Sequence, residues 1–403
     1  MEIQTILENM KYVILIGDGM ADYPLPELGE KTPLQVADKP HMDHVAKEGS
    51  NGLLKTIPDG MEPGSDVANL AIMGYNPRKY YTGRGPLEAA SIGVKLKEDD
   101  VAFRCNFITV YGGRLIDFNA DHISTKESSK LIKTLNEHFK IGRFYTGVSY
   151  RNLYIYPGRE ALKVKTKPPH DIVGEPIKDH LPSNGKIAER IKQIIKESQR
   201  ILKDHPTNIE RSKMGKRPAN MIWLWGQGQK PTMETLEEKY GLKGATITGV
   251  DLIKGLGVYL GLDNINVPGA TGYLDTDYKA KGKYAIKALQ DHDIIFIHVE
   301  APDEAGHAGN IKEKIKAIEN IDSKILGPLL DELPSYNSFR LTLLADHPTP
   351  IKVGTHTQDP VPYAICGENI KKDNISSYDE ESAKRGSLGL SVAWKLLDKL
   401  IGS

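Results

Sequence analysis

The chain has 403 residues, enough for roughly two or three compact units with ample core. Lys plus Arg and Asp plus Glu each total 53, so the formal charge is zero, which argues against a nucleic-acid or anionic-membrane surface as its main business. Cys105 and Cys366 are the only cysteines, too few for a disulfide framework or a thiolate metal site, and they fit a reducing cytoplasm.

The N-terminal stretch MEIQTILENMKYVILIGDGM carries glutamates and only a short apolar run before Gly17. A signal peptide is therefore not expected, and no stretch reaches the roughly 18 apolar residues that a bilayer span needs. Residues 1–10 read as an extension ahead of a first strand. Short apolar runs that end abruptly in polar residues lie at Lys11–Ile16, Asn220–Trp225, Asp293–Val299, Phe339–Ala345 and Pro362–Cys366. Continuous runs of this kind predict strands buried on both faces of a mostly parallel sheet. Helical patterns fall between them at Pro40–Glu48, Thr232–Tyr240, Asp251–Leu260, Tyr278–Asp291, Ile311–Leu330 and Ser387–Leu400. The alternation predicts an α/β core with helices on both faces.

The middle of the chain reads differently. Between about 97 and 215 there are alternating strand-like runs, a GG hairpin signal in VYGGRLI, a Pro-rich KTKPPHDIVGEP and a Lys-rich helix. This predicts an α+β domain, residues 97–215, inserted into a discontinuous core of 1–96 and 216–403.

In open α/β sheets ligands gather beyond the carboxyl ends of the strands. After YVILI comes Gly17-Asp18-Gly19; after DIIFIHVE comes APDEAGHAGN with Asp303 and His307; after LTLLA come Asp346 and His347, with His356 close behind in VGTHTQDPVP. Each has a plain structural reading: a turn residue at Asp18, a loop pair at Asp303 and His307, side chains satisfied by loop backbone at Asp346 and His347. Together they place acids and imidazoles after successive core strands, which ordinary loops have no reason to do. Carboxylates with neutral imidazoles and no thiolates suit manganese, zinc or cobalt, while magnesium tolerates imidazole poorly. The number of ligands exceeds one tetrahedral site and suits two ions about 3.5–4 Å apart, the arrangement that clamps both oxygens of a phosphoryl transfer.

Ser65, in EPGSDVANLAIMGY, stands at a predicted helix start. It can cap the helix, or present a hydroxyl that a cation activates beside the helix N-terminus, where phosphate binds well. The two roles are compatible.

The ordered set G-D-G, a Ser at a helix start, P-D-x-x-G-H, A-D-H and H-T-x-x-P-V-P resembles the alkaline phosphatase superfamily. Within it the nearest likeness is to the cofactor-independent phosphoglycerate mutases of the shorter archaeal type. LIGDGMADYPLPELGEKTPLQVA, EPGSDVANLAIMGYNPRKYYTGRGPLEAASIGV, APDEAGHAGN, ADHPTPIKVGTHTQDPVP, FRCNF and PPHDIVG carry the likeness across nearly the whole chain. The resemblance implies a phosphatase-like core with an inserted transferase domain. It implies one divalent ion on Asp18, Ser65, Asp346 and His347, a second on Asp303, His307 and His356, and transient phosphorylation of Ser65. Manganese is the first expectation, with zinc, cobalt or magnesium as alternatives and no organic cofactor. The sequence departs from the longer bacterial and plant form, which has N-S-E-V-G-H where this chain has GSDVAN, and it has no D-G-G-V-H-S-H stretch. Insert-domain roles therefore transfer less directly than the cation ligands.

A phosphoglycerate carries a carboxylate and a phosphate, so arginine forks and a lysine are expected around it. The candidates are Arg104, Arg151, Arg84 and Lys254, with His122 as a further contact; a solvated surface cation is the plain alternative for each cation. Arg104 interrupts an apolar strand pattern and so needs a partner. Asp171, supported by His170, is the candidate proton shuttle; the rival reading is a Pro-rich turn capped by Asp171. Retaining the glycerate between two transfers is the task expected of the insert, by closing over the site. Competing functions are a phosphomonoesterase on the same core, a small-molecule phosphotransferase acting on an alcohol such as homoserine, and a metal-stabilised binding module. The small-molecule substrate, with no nucleic-acid or membrane partner, completes the expectation of a cytoplasmic enzyme; the oligomeric state is left open.

Overall fold

The apolar run after Met10 forms a strand whose side chains from Tyr12 onward are all buried, in a computed structural model that describes residues 10–402. In chain order the strands are β1 (Met10–Gly17), β2 (Ser50–Lys55), β3 (Asp100–Tyr111), β4 (Arg114–Asp117), β5 (Arg143–Val148) and β6 (Arg151–Pro157). They continue with β7 (Met221–Gln229), β8 (Gly244–Ile247), β9 (Asp263–Asn264), β10 (Ile294–Val299), β11 (Ser338–Ala345), β12 (Val361–Gly367) and β13 (Gly389–Val392). The chain divides into two compact units: residues up to Tyr81 together with those from Met233 onward, and Thr82–Thr232.

The first unit is built on an eight-stranded sheet in the order β13-β2-β12-β11-β1-β10-β8-β9. Only β12 runs against its neighbours; the other pairings are parallel. Strands β1, β10 and β11 lie side by side at its centre. Their largely apolar runs reflect cover on both faces, and β10 is buried at all six positions, His298 included. The expected α/β class is what the structure shows. Of the helical readings, Pro40–Glu48 is a helix over that whole span. The expected Ile311–Leu330 helix is broken instead by a π-helical turn, Asp322–Leu326, where the buried Asp322 carboxylate accepts from Met42 N at 2.7 Å. The expected terminal helix begins later, at Leu396, because Gly389–Val392 pairs along β2 as an edge strand.

The second unit holds β3, β4, β5, β6 and β7 in an antiparallel sheet. Here one sequence expectation is corrected. The run Asn220–Trp225 belongs to β7, which pairs antiparallel with β3, and is not a strand of the parallel sheet. It reads as a doubly buried strand because helices Arg84–Ser91 and Ala188–Leu202 both pack on it. The unit therefore reaches beyond 97–215 at both ends. Gly112 and Gly113 form the β3–β4 hairpin turn, with φ of 56° and 73°. No helix among the described residues is long and apolar enough to cross a membrane.

Candidate active site

The parallel order β11-β1-β10 brings three strand ends of the first unit together, and the residues that follow each strand converge. Asp18 follows β1, with its N–H donating to Val299 O at the end of β10 (3.0 Å). Gly19 turns the chain at φ 60°, and its N–H donates to Asp346 Oδ1 at 3.1 Å. A Cβ here would sit 2.7 Å from the Asp303 Cα, so the glycine after Asp18 is required by close approach as well as by φ. Asp346 and His347 follow β11, and the His347 N–H donates to its neighbour's Oδ1 at 2.8 Å. Asp303 and His307 lie on the short helix Ala301–His307 that continues β10.

Ser65 is the first residue of the helix Ser65–Ile72, with Gly64 at the N-cap in extended conformation. Its hydroxyl does not cap the helix. It points to the strand ends, 3.3 Å from Asp18 Oδ2 and 3.1 Å from His347 Nε2. One turn on, Asn69 Nδ2 donates to Ser65 O at 2.8 Å and to Asp346 Oδ2 at 2.9 Å, locking the helix start against the strand end.

A second group lies alongside. His307 Nε2 stands 3.2 Å from Asp303 Oδ2 and 3.0 Å from His356 Nε2, and His356 Nε2 stands 3.4 Å from Asp303 Oδ1. Asp303, His347 and His356 offer ligand atoms within 4.8 Å of one another, so the two groups adjoin. Backbone carbonyls aim the outer faces of the rings: Gly354 O is 2.9 Å from His307 Nδ1, and Pro63 O is 3.3 Å from His356 Nδ1. Thr349 Oγ1 donates to Asp303 Oδ1.

The electrostatics describe a pocket built for positive charge. Burial, then the carboxylates of Asp346 and Asp303, push the Asp18 acid well above the usual range. Burial and Asp18 do the same to Glu300. Burial also works to raise Asp303, but hydrogen bonds to His307 and His356 outweigh it and hold the group well below the ordinary value. The same contest at Asp346 is won by His347 and His298. Burial lowers His347 to about 4, and the hydrogen bond to Asp303 raises His307 to about 9.

The second unit carries a cationic face of its own. Strand β3 alternates, so Phe103, Cys105 and Phe107 enter the core while Arg104 and Asn106 face the other way. The β3–β6 register pairs Asn106 with Arg151 and so sets Arg151 on the face that bears Arg104. Arg104 lies 4.3 Å over the Trp225 ring and 2.9 Å from Glu88 Oε1, which supplies the partner its strand position demands. Burial lowers the Arg104 pKa, opposed by Glu88, and Arg84 and Arg151 lower it further, so the three guanidinium groups share one neighbourhood. His170 packs edge-on to Trp225 at 5.5 Å and to Phe118 at 6.1 Å, with its Nε2 3.6 Å from Asp171 Oδ1. Both residues sit in a 3-10 turn, Pro169–Ile172, without a side-chain cap. His122 ends three consecutive left-handed residues, Ala120, Asp121 and His122, and its Nε2 lies 3.4 Å from Asn119. Lys254 belongs to the first unit, half-buried, 3.7 Å from Asp251.

The family profile described as 2,3-bisphosphoglycerate-independent phosphoglycerate mutase matches residues 46–208. A 2,3-bisphosphoglycerate-independent phosphoglycerate mutase of Methanothermobacter thermautotrophicus is 61% identical, with 97% of each chain covered. One of Methanosarcina acetivorans is 52% identical over 97% of this chain and 100% of its own. This chain belongs to the 2,3-bisphosphoglycerate-independent phosphoglycerate mutase family. Among solved structures, a Pyrococcus horikoshii protein matches with TM-score 0.84 and 31% identity, covering 98% of this chain and 97% of that one. The cofactor-independent phosphoglycerate mutase of Thermoplasma acidophilum matches with TM-score 0.67 and 27% identity, over 98% and 99%.

For a member of the phosphoglycerate mutase family, the donor set fits divalent cations on the chain's own terms. Asp18, Glu300 and Asp303 bring ligand oxygens within 4.8 Å of one another, and Asp18 Oδ1 is buried with no hydrogen-bond partner among the described residues. Two imidazole Nε2 atoms 3.0 Å apart, at His307 and His356, also suit a shared ion better than each other. Sequence reasoning missed four residues of this site: Asn69, His298, Glu300 and Thr349. Asn69 lies four residues after Ser65, on the same helix face, a spacing that could have flagged it. His298 was hidden inside FIHVE as core, although a histidine within a fully buried strand requires a polar partner. Glu300 and Thr349 gave no comparable signal.

Proposed function

We propose that this chain interconverts 2-phosphoglycerate and 3-phosphoglycerate through a phosphoserine at Ser65, without 2,3-bisphosphoglycerate. The observation that carries the reading is the Ser65 hydroxyl at a helix N-terminus, within 3.1 Å of His347 Nε2 and 3.3 Å of Asp18 Oδ2. Family membership supports it, because the relatives are named for this activity.

In this reading Asp18, Ser65, Asp346 and His347 hold one divalent cation and Asp303, His307 and His356 the other, with manganese the best match to a carboxylate and imidazole set. When bound, the pair supplies a lowered pKa at the Ser65 hydroxyl and compensation for charge on the transferring phosphoryl group. Ser65 Oγ attacks phosphorus in line, its bond to phosphorus forming as the bond to the substrate's ester oxygen breaks. The departing oxygen takes a proton and leaves as the glycerate hydroxyl. The helix N-terminus at Ser65 turns its backbone N–H groups toward the phosphate oxygens. The other glycerate hydroxyl then attacks the phosphoserine, gives up its proton and regenerates Ser65.

Arg104, Arg151 and Arg84 are the proposed anchors for the substrate's carboxylate, with Lys254 and His122 as further contacts. Asp171, supported by His170, is the proposed carrier of the hydroxyl proton; the two lie 3.6 Å apart and are part-exposed, so a proton can reach solvent between steps.

The test is phosphorus NMR of purified protein given 3-phosphoglycerate and manganese with no bisphosphoglycerate. The 2-phosphoglycerate resonance should grow to equilibrium. Growth of inorganic phosphate alone would replace this reading with a phosphomonoesterase.

A further inference from the structure

His298 is the last residue but one of β10 and is 1% exposed, in the midst of the cation pocket. Its Nε2 lies 3.1 Å from Asp18 Oδ2 and 3.9 Å from Asp346 Oδ2. Despite this proximity Nε2 has no hydrogen-bond partner of good geometry among the described residues. Asp18, His298 and Asp346 bring buried nitrogen and oxygen atoms within 4.8 Å of one another, arranged as ligands are around a cation. Donors with bonds of about 2.1 Å stand about 3 Å apart around an octahedral ion and about 3.4 Å apart around a tetrahedral one.

The opposite side of the ring fits the same reading. Nδ1 faces Thr248 Oγ1 at 3.5 Å, an oxygen that can accept its proton, while Glu300 Oε2 stands off at 3.9 Å. The backbone is fixed as well: the buried Lys281 Nζ donates to His298 O at 3.1 Å.

We infer that His298 Nε2 is a further protein ligand of the cation held by Asp18, Ser65, Asp346 and His347, with Thr248 orienting the ring through Nδ1. The inference rests on the two-cation reading above. Each cation then has two imidazoles, His347 and His298 on one, His307 and His356 on the other. This pairing biases both positions toward manganese, cobalt or zinc and away from magnesium.

Two experiments decide it. The first uses the unaltered protein with nitrogen-15 labelled histidine and cobalt(II), and counts the paramagnetically shifted, exchangeable ring N–H signals at two bound ions. Four signals are expected; three, with two ions bound, would overturn the role of His298 and leave the two-cation reading standing. Failure to bind cobalt at all would overturn both. The second measures manganese affinity by chelator competition for His298→Ala and His298→Asn, each first checked for an unchanged metal-free melting temperature. A loss of about 10- to 100-fold at one of two positions, with the other unaltered, is expected. Unchanged affinity at both positions in a folded variant would reduce His298 to a charge partner of Asp18.

Discussion

Ser65 Oγ stands 3.1 Å from His347 Nε2, yet the imidazole is a poor base for it, because burial lowers its pKa to about 4. A base matched to neutral pH needs a pKa nearer 7. The proposed scheme accounts for the contact as two ligands of one ion, with the hydroxyl as nucleophile. Ser65→Ala should leave the fold intact, within about 0.5 kcal/mol, since the hydroxyl caps nothing. Steady-state turnover should fall by about four orders of magnitude or more. A variant that kept even a tenth of the activity would replace the phosphoserine scheme with direct transfer.

Asn69 ties the nucleophile's helix to Asp346 through one amide group. Asn69→Ala should lower metal affinity or turnover by about 10- to 100-fold, the usual effect of removing a group that orients a ligand. Asn69→Asp should be worse, because it adds a carboxylate beside Asp346. Isothermal titration with manganese, paired with turnover, measures both.

Loading of the metal-free protein should depend on pH in a stated direction. In the absence of metal, Asp303 raises His307 to about 9, so the ring is protonated at pH 7 and must lose that proton to ligate. Affinity should therefore rise between about pH 6 and pH 9, with proton release visible as a buffer-dependent binding enthalpy. The stability of the metal-free protein moves the other way: the His307–Asp303 contribution is full below the unfolded value near 6.5 and is lost as pH rises through about 9. Chelation should lower the melting temperature. A cation at 1,000 times its Kd stabilises by about 4 kcal/mol, a shift that a calorimetric scan resolves.

Arg104 combines a stack on Trp225 with an ion pair to Glu88. Arg104→Lys keeps the charge but loses the planar fork and the stack, and KM for phosphoglycerate should rise about 10- to 100-fold with a smaller change in kcat. Arg104→Ala should also destabilise by about 1–3 kcal/mol, because the half-buried Glu88 loses its Arg104 partner and Trp225 loses the stack. Adding Glu88→Gln should recover part of that stability in a urea titration while leaving KM high.

Much of this was legible in the sequence because the chemistry sits where strands end. Asp18, Asp346 and His347 each follow a continuous apolar run, and the run itself marks the boundary. What hid was context. His298 lies within such a run: a buried histidine requires a polar partner, but only three-dimensional neighbours name Asp18 and Asp346 as the groups beside it. The strand at Asn220–Trp225 misled for a related reason: cover on both faces writes the same apolar pattern whether pairing is parallel or antiparallel, and its partner β3 is more than a hundred residues away. Arg104 was readable as a residue needing a partner, but nothing in its surroundings named Glu88 over another acid.

In the proposed reaction Ser65 carries the phosphoryl group between two in-line displacements. The direct measurement uses 3-phosphoglycerate whose phosphate is made chiral with oxygen isotopes, and reads the configuration at phosphorus in the 2-phosphoglycerate formed. Each in-line displacement inverts the phosphorus, so two of them predict overall retention. Overall inversion would mean a single direct transfer and would contradict the role of Ser65.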